Sequence, residues 1–342
     1  MSPQVPRLDS VAQLAEVSRA TASKALNGRP DVSPSTRDRV LAAAERLGYK
    51  QPAATQEGAR LIGLVGDNLI SPYTLDVIRG AATAALQAGV GIITQYTPTT
   101  PPTGTPMPLS REWFEQVRRQ GWLGVITVTS HLTRQQIADI RELGIHLVAI
   151  DPANALPADI ASIGATNWNG GVEATQHLIG LGHRRIGFVR GADGSVPVGE
   201  RLQGYLSALT MGHLPHDQQL IAGHGFGHED GLLAGRELLS LPADLRPTAI
   251  FAASDFLALG VYAAARVHGL RVPDDISVVG FDDTTMAPLA TPALTTVRQP
   301  LEDMGSSAVR TVLDLEADRP ATGPIRITTS LTIRESTAPP PA

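Results

Sequence analysis

The amino-acid sequence predicts an α/β protein, with a small helical unit at the N-terminus followed by two lobes of doubly wound parallel sheet. Two observations carry this prediction. Residues 1–50 hold short amphipathic helices, and residues 61–337 alternate strand-like apolar runs with helical stretches. The chain of 342 residues is longer than one such sheet needs, so we expect two lobes with a cleft between them.

Three short helices are predicted in residues 1–50. Apolar residues spaced three and four apart within 11–15 indicate one face of the first helix. Ser18 caps a second helix, which ends at the Asn27-Gly28 pair, and Ser33-Pro34 opens a third. A helix, a tight turn, a helix and a supporting helix form the outline of a helix-turn-helix DNA-binding unit.

Residues 51–60 lack any apolar period and contain proline, threonine and glycine, so we interpret them as a linker. After them the alternation begins. The predicted strands are 61–65, 91–94, 124–128, 147–150, 186–189, 249–252 and 277–279. The predicted helices include 75–88, 134–143, 171–181, 202–211, 230–239 and 255–267.

Composition and charge exclude several classes of protein. The chain has no cysteine, which excludes disulfides and thiol nucleophiles and fits a reducing cytoplasm. We expect neither a signal peptide nor a membrane span, because no long apolar run occurs. Residues 1–50 hold eight basic and five acidic residues, so they carry +3 and leave −8 for the rest of a chain of net charge −5. This asymmetry favours contact of the N-terminal segment with a polyanion. The alternative is that a net charge as small as +3 arises by chance.

Motifs of common α/β enzymes are missing. The only two lysines lie outside any phosphate-binding loop, and no Gly-x-Ser-x-Gly turn occurs. Residues 223–228 hold three glycines and two histidines, but with neither the dinucleotide fingerprint nor zinc-helix spacing, so a glycine-rich turn is expected. The Asp282-Asp283 pair follows a strand, where ligands bind in such sheets. We therefore expect binding rather than catalysis, with no cofactor and no metal.

Six motifs follow one another along the chain: VAxLAxVSxxTxSKxLNG at 11–28, VSPxTR at 32–37, LGHRRI at 181–186, RLxGY at 201–205, VVGFDD at 278–283 and LTTVRQ at 294–299. Together they resemble the LacI-type (lactose/galactose repressor) regulators over nearly the whole chain. The resemblance implies a DNA-binding headpiece (1–50), a hinge (51–60) and a core (61–337) like that of periplasmic sugar-binding proteins. It also implies a homodimer or a dimer of dimers on a pseudo-palindromic operator in double-stranded DNA.

The resemblance places the second helix in the major groove of DNA. Arg19, Ala20 and Lys24 match the base-reading positions, and arginine and lysine both suit guanine. The residues implied at the DNA are Leu8, Ser18, Arg19, Ala20, Thr21, Ser23, Lys24, Asn27, Ser33 and Thr36. For Ser18 and Ser33 helix capping is the alternative role. For Thr21 and Ser23 the alternative is exposure without contact.

The sequence departs from the family pattern at two places. Glu16 stands where the family usually has a glycine, in a turn that tolerates positive φ. In the hinge, Glu57 and Ala59 replace the arginine and the leucine, and the segment is short by a turn or two of helix. Major-groove reading is expected regardless, whereas insertion of this hinge into the minor groove stays open.

The resemblance also implies a cleft for a small effector, most simply a sugar. It matches Tyr73, Arg201, Ser254, Asp282 and Gln299 to effector contacts. Because aromatic residues make up only 4% of the chain, Trp168 and Phe226 are further candidates as aromatic residues near the ends of strands. Core packing is the alternative for Trp168 and Phe226, and a structural ion pair is the alternative for Arg201 and Asp282.

The sequence therefore predicts a sugar-responsive transcriptional repressor of the cytoplasm. A free-standing solute-binding protein and an α/β enzyme are the alternatives. The identity of the sugar, the operator sequence, the choice of dimer or tetramer, and induction or co-repression stay open at this point.

Overall fold

The computed structural model describes residues 8–26, 32–47, 60–97, 107–319 and 323–341. The chain forms two compact units, Met1–Ala59 and Arg60–Ala342. The predicted hinge lies, apart from Arg60, outside the described residues, as do Asn27, Gly28 and Gly48. None of the described helices has the length and apolar character needed to cross a bilayer.

The first unit, the headpiece, contains three helices: α1 (Leu8–Leu14), α2 (Arg19–Leu26) and α3 (Pro34–Arg46). Its core is built largely from small side chains, such as Ala22 and Ala25 against Val11 and Val40, so the helices approach closely. The predicted capping is confirmed, because the Ser33 hydroxyl accepts a hydrogen bond from the Thr36 amide at the start of α3.

Glu16, in the turn between α1 and α2, has a φ of 52°. This is the left-handed conformation that the family's usual glycine adopts without steric cost. A side chain with a Cβ is therefore held in a conformation that costs about 1–2 kcal/mol.

The second unit, the core, contains eight helices among the described residues: α4 (Pro72–Gln87), α5 (Arg111–Arg119), α6 (Arg134–Leu143), α7 (Asn167–Gly180), α8 (Val196–Met211), α9 (His228–Leu239), α10 (Asp255–Val267) and α11 (Leu301–Glu316). Two 3-10 turns lie at Gln218–Leu220 and Ala287–Leu289. The strands are β1 (Leu61–Gly66), β2 (Gly91–Tyr96), β3 (Gly124–Val128), β4 (Leu147–Ile150), β5 (Ala161–Ala165), β6 (Ile186–Val189), β7 (Ile221–Ala222), β8 (Ala249–Ala252), β9 (Ser277–Asp282), β10 (Thr295–Arg298), β11 (Ile325–Ile327) and β12 (Ser330–Thr332).

These strands form two six-stranded sheets, one in each lobe. Lobe 1 has the order β11-β5-β4-β3-β1-β2, and lobe 2 has the order β12-β10-β9-β8-β6-β7. Every pairing in lobe 1 is parallel. Lobe 2 is parallel except for β12, which runs antiparallel to β10 at the sheet edge. The predicted α/β architecture is confirmed, with this edge strand as the departure from a purely parallel sheet.

The chain passes between the lobes at three crossovers. The first is Thr166, after which α7 packs on lobe 2; the second is residues 299–300, after which α11 packs on α4 of lobe 1. The third is residues 328–329, between β11 and β12. Thr329 donates its amide to the Thr166 hydroxyl at 2.9 Å, so the first and third crossovers are joined directly.

Candidate functional site

A cavity of about 640 Å³ lies between the two lobes of the core. Loops at the carboxyl ends of the parallel strands form its walls, as expected for this sheet type. Lobe 1 contributes residues that follow β1, β3 and β4, and lobe 2 contributes residues that follow β6, β7, β8 and β9. The volume is that of a site for a small organic ligand.

Arg201, on α8, lies on the floor of this cavity with only 4% of its surface exposed. Its Nε donates to Asn167 Oδ1 at 2.8 Å, and its Nη1 donates to the Ala253 carbonyl at 2.6 Å. The guanidinium also lies over the Phe281 ring, 3.8 Å from the centroid. These contacts fix the plane of the group before any ligand arrives.

Asp282 is the last residue of β9 and lies beside Arg201 on the floor. Its Oδ1 is 3.7 Å from Arg201 Nη1 and accepts a hydrogen bond of 2.6 Å from Gln299 Nε2. Burial raises the pKa of Asp282 to about 7, although the Arg201 charge and the Gln299 hydrogen bond act in the opposite direction. A carboxyl with this pKa can accept or donate a hydrogen bond near neutral pH.

Asp255, at the first position of α10, supports the floor from behind. Its carboxylate accepts hydrogen bonds from the Thr284 amide at 2.7 Å and from the Thr296 hydroxyl at 2.5 Å. Burial and the nearby Asp282 raise its pKa well above the usual value. Ser254, which caps α10 by accepting from the Leu257 amide, lines the cavity.

Tyr73 and Asp151 form the lobe 1 side of the floor. The Tyr73 hydroxyl donates to Asp151 Oδ2 at 2.8 Å, and both residues line the cavity. Burial raises the pKa of both groups, with the Arg201 charge opposing the shift at Asp151. Since its hydroxyl is engaged, Tyr73 offers a ligand chiefly its ring.

The structure gathers five of the seven candidate effector residues in the cavity and leaves two outside. Tyr73, Arg201, Phe226, Ser254 and Asp282 line it. Trp168 does not, because it lies in the first turn of α7 with its side chain toward solvent. Gln299 does not either, because it is buried behind Asp282.

In the headpiece, five of the ten residues implied at the DNA lie on α2, Ser18 directly precedes it, Leu8 begins α1, and Ser33 and Thr36 lie at the start of α3. Ser18, Arg19, Ala20, Lys24 and Ser33 are exposed. Leu8, Thr21, Ser23 and Thr36 are partly buried, and Asn27 is outside the described residues. Arg19 forms an exposed ion pair with Asp9 at 3.4 Å. The face opposite the packed alanines thus presents two basic side chains, as a helix entering the major groove requires.

Comparison with known proteins identifies the family. A model described as "Bacterial regulatory proteins, lacI family" matches residues 7–51, and one described as "Periplasmic binding protein-like domain" matches residues 175–337. The HTH-type transcriptional regulator CelR of Thermobifida fusca is 33% identical to this chain, over 97% of this chain and 98% of its own length. The chain belongs to the lacI family of bacterial regulatory proteins.

Other members of the lacI family agree along the whole chain. MalR of Streptomyces coelicolor is 33% identical and covers 92% of this chain and 91% of its own. A solved complex of CelR with cellobiose superposes with a TM-score of 0.71 at 33% identity, covering 97% of this chain and 99% of that one. A lac repressor dimer bound to operator and an anti-inducer gives 0.73 at 26% identity, covering 98% and 100%. The predicted class, a helix-turn-helix transcriptional regulator, is confirmed.

Among the cavity residues of this lacI-family chain that were not predicted from the sequence are Asp151, Phe256 and Thr284. Asp151 directly follows the buried strand β4, and its φ of 41° turns the chain at the sheet edge. Phe256 follows Ser254 and Asp255 at the start of α10, and its ring lies 6.1 Å from that of His228. A polar residue directly after each buried strand is the signal that would have found Asp151.

Proposed function

We propose that this chain represses genes of carbohydrate use by binding a pseudo-palindromic operator as a homodimer, and that a neutral sugar in the inter-lobe cavity controls this binding. The observation that carries the proposal is the cavity floor. A sugar hydroxyl can accept from the Arg201 guanidinium and donate to the Asp282 carboxylate at once, since the two groups lie side by side. The rings of Tyr73 and Phe226 offer apolar faces for the C–H groups of a sugar.

The charge of the cavity favours a neutral ligand. Among the described residues that line it are four aspartates, Asp67, Asp151, Asp193 and Asp282, against one arginine, Arg201. A sugar phosphate or a sugar acid would add negative charge beside Asp151 and Asp282, whose pKa values burial already raises, at a place where burial weakens screening by solvent. A relative supports this reading, since the solved complex of CelR holds cellobiose.

We infer a binding role rather than catalysis for these carboxylates. Asp151 is held by Tyr73, and Asp282 by Gln299, so both are oriented by neighbouring side chains. A regulator with this role acts on DNA in the bacterial cytoplasm. Control of the operator then needs only that the sugar binds one arrangement of the lobes more tightly than the other. By linkage, operator DNA must change the affinity for the sugar by the same factor.

Fluorescence anisotropy with labelled DNA fragments from upstream of the gene and its neighbours tests the proposal. We expect tight, salt-sensitive binding of one palindromic fragment, with a shuffled fragment as control. Cellobiose, maltose, glucose and glucose 6-phosphate are then added in turn, and we expect a neutral sugar to change operator affinity. Equal affinity for all fragments would refute operator recognition, and sugar binding without any DNA binding would indicate a solute-binding protein.

A further inference from the structure

Asn167 connects the first crossover between the lobes to the floor of the cavity. It directly follows Thr166 and is buried, with 2% of its surface exposed. Its Oδ1 accepts from Arg201 Nε at 2.8 Å. Its Nδ2 donates to the Ala165 carbonyl at 3.2 Å and to Glu200 Oε2 at 3.1 Å. One side chain therefore joins the end of β5 in lobe 1 to the guanidinium in lobe 2.

The packing of α7 against α8 makes this reach possible. A Cβ on Gly171 would lie 2.4 Å from the Arg201 carbonyl oxygen, and one on Gly204 would lie 2.2 Å from the Trp168 carbonyl oxygen. Only glycine fits at these two positions, so the helix backbones touch where Asn167 and Arg201 meet. The short side chain of Asn167 is thereby held against Arg201 with little freedom to move.

The second crossover is also hydrogen-bonded to the floor, and the third is bonded to the first. Gln299, in the second crossover, makes two hydrogen bonds to Asp282. Its side-chain Nε2 donates to Asp282 Oδ1 at 2.6 Å, and its backbone N–H donates to the Asp282 backbone carbonyl at 3.1 Å. The third crossover bonds to the first through Thr329 and Thr166. Arg201 and Asp282 are thus bonded to two different crossovers, through Asn167 and Gln299.

We propose that Asn167 is the positioning residue for Arg201, and that it couples the orientation of the guanidinium to the first crossover, at Thr166. Because Asn167 Oδ1 accepts the hydrogen bond from Arg201 Nε, the two Nη atoms of Arg201 stay directed to the cavity and to the Ala253 carbonyl. Ordering the arginine beforehand lowers the entropy lost on ligand binding. A rotation of the lobes about Thr166 moves Asn167, and with it the donor geometry offered to a ligand. This inference rests on the proposed function of the cavity.

A double-mutant cycle between Asn167→Ala and Arg201→Lys tests the proposal in the full-length chain, with cellobiose as the probe in calorimetry. We expect Asn167→Ala to raise the Kd for cellobiose about 10-fold, since it removes a hydrogen bond to a charged group. In the Arg201→Lys background the same change has little further effect, because the Nε donor is already gone. Asn167→Asp keeps the acceptor oxygen and retains more affinity. Asn169→Ala, an exposed position on the same helix, leaves the Kd unchanged.

The cycle is repeated on thermal unfolding without any sugar, so that it does not depend on the choice of probe. We expect the losses in Tm from Asn167→Ala and Arg201→Lys not to add in the double variant. Additive losses in Tm, or an unchanged Kd in Asn167→Ala, would overturn the role of Asn167. If no sugar binds the wild type, the proposed function fails, and the unfolding cycle by itself decides whether Asn167 holds Arg201.

Discussion

In the headpiece, Ser18 and Ser33, both expected at the DNA, bond to near neighbours, whereas the polar side chains on the cavity floor bond to residues far away in the chain. The Ser18 hydroxyl bonds to Thr21, three residues away. Arg201 bonds to Ala253, 52 residues away, and is 4% exposed. A surface that reads DNA can thus change residue by residue with little effect on folding. A floor residue serves the effector and the fold together, so its replacement affects both.

Among the variants that test this comparison, we expect Arg201→Ala to have the largest effect on stability and on the response to sugar. We expect the free energy of unfolding to fall by about 3 kcal/mol, because buried Asp282 and Asp151 lose their positive neighbour. Operator affinity is retained, whereas the sugar that acts on the wild type no longer changes it. Urea unfolding and operator titrations with and without sugar measure these quantities. Outright loss of operator binding would make Arg201 structural, and a normal sugar response would place the ligand elsewhere.

Lys24→Ala and Arg19→Ala test the headpiece side. Each is expected to weaken binding of the cognate operator by about 1–3 kcal/mol and to relax the preference at one base pair. The midpoint of unfolding stays near that of the wild type, because both side chains are exposed. Anisotropy titrations against single-base operator variants provide the measurement. A loss of equal size on every DNA sequence would mean that these residues contact phosphates instead of bases.

The pH dependence of stability tests the burial of Asp282 on the cavity floor. The pKa of Asp282 is raised to about 7 in the folded chain, against about 3.9 when unfolded. As pH rises through this window the unfolded chain loses its proton first, so the contribution of Asp282 to stability falls until about pH 7 and is then constant. We expect wild-type Tm, relative to Asp282→Asn, to be higher at pH 5 than at pH 8. The titration of the histidines is common to both proteins and cancels. Asp282 also helps to raise the pKa of Asp255, so Asp282→Asn removes part of that shift as well, which changes the Tm difference in the same direction. A Tm difference independent of pH would contradict the raised pKa.

Glu16→Gly is expected to give the smallest effect. It relieves a φ of 52°, which costs about 1–2 kcal/mol for a residue with a Cβ, but it adds backbone entropy to the unfolded chain. The headpiece should therefore gain less than about 1 kcal/mol. Amide hydrogen exchange of α1 and α2 in the full chain reports this local stability. Glu16→Ala removes the same charge without freeing the backbone, so equal protection in both variants would assign the effect to charge.

Most of the fold could be predicted because its signals are local. Serine caps, the proline at the start of α3 and the apolar runs of β3, β4, β6 and β8 depend on neighbouring residues only. Strand β7 has two residues, too few for a pattern. The antiparallel β12 and the return of α11 to lobe 1 depend on where the crossovers take the chain, which no local period records. The family motifs supplied Arg201 and Asp282, whereas Trp168, a candidate because it is an aromatic residue near the end of a strand, lies outside the cavity.

The sequence by itself determined the family, seven of the twelve described strands with the helices between them, and the exposed face of α2, since side-chain period and capping chemistry act within a few residues. The tertiary structure decided which side chains meet on the floor. Asp151 joins Tyr73, and Asn167 joins Arg201, because two lobes fold around three crossovers and two helices cross at glycines. It also decided the raised pKa of Asp282, because burial penalises a carboxylate only once distant segments have closed around it.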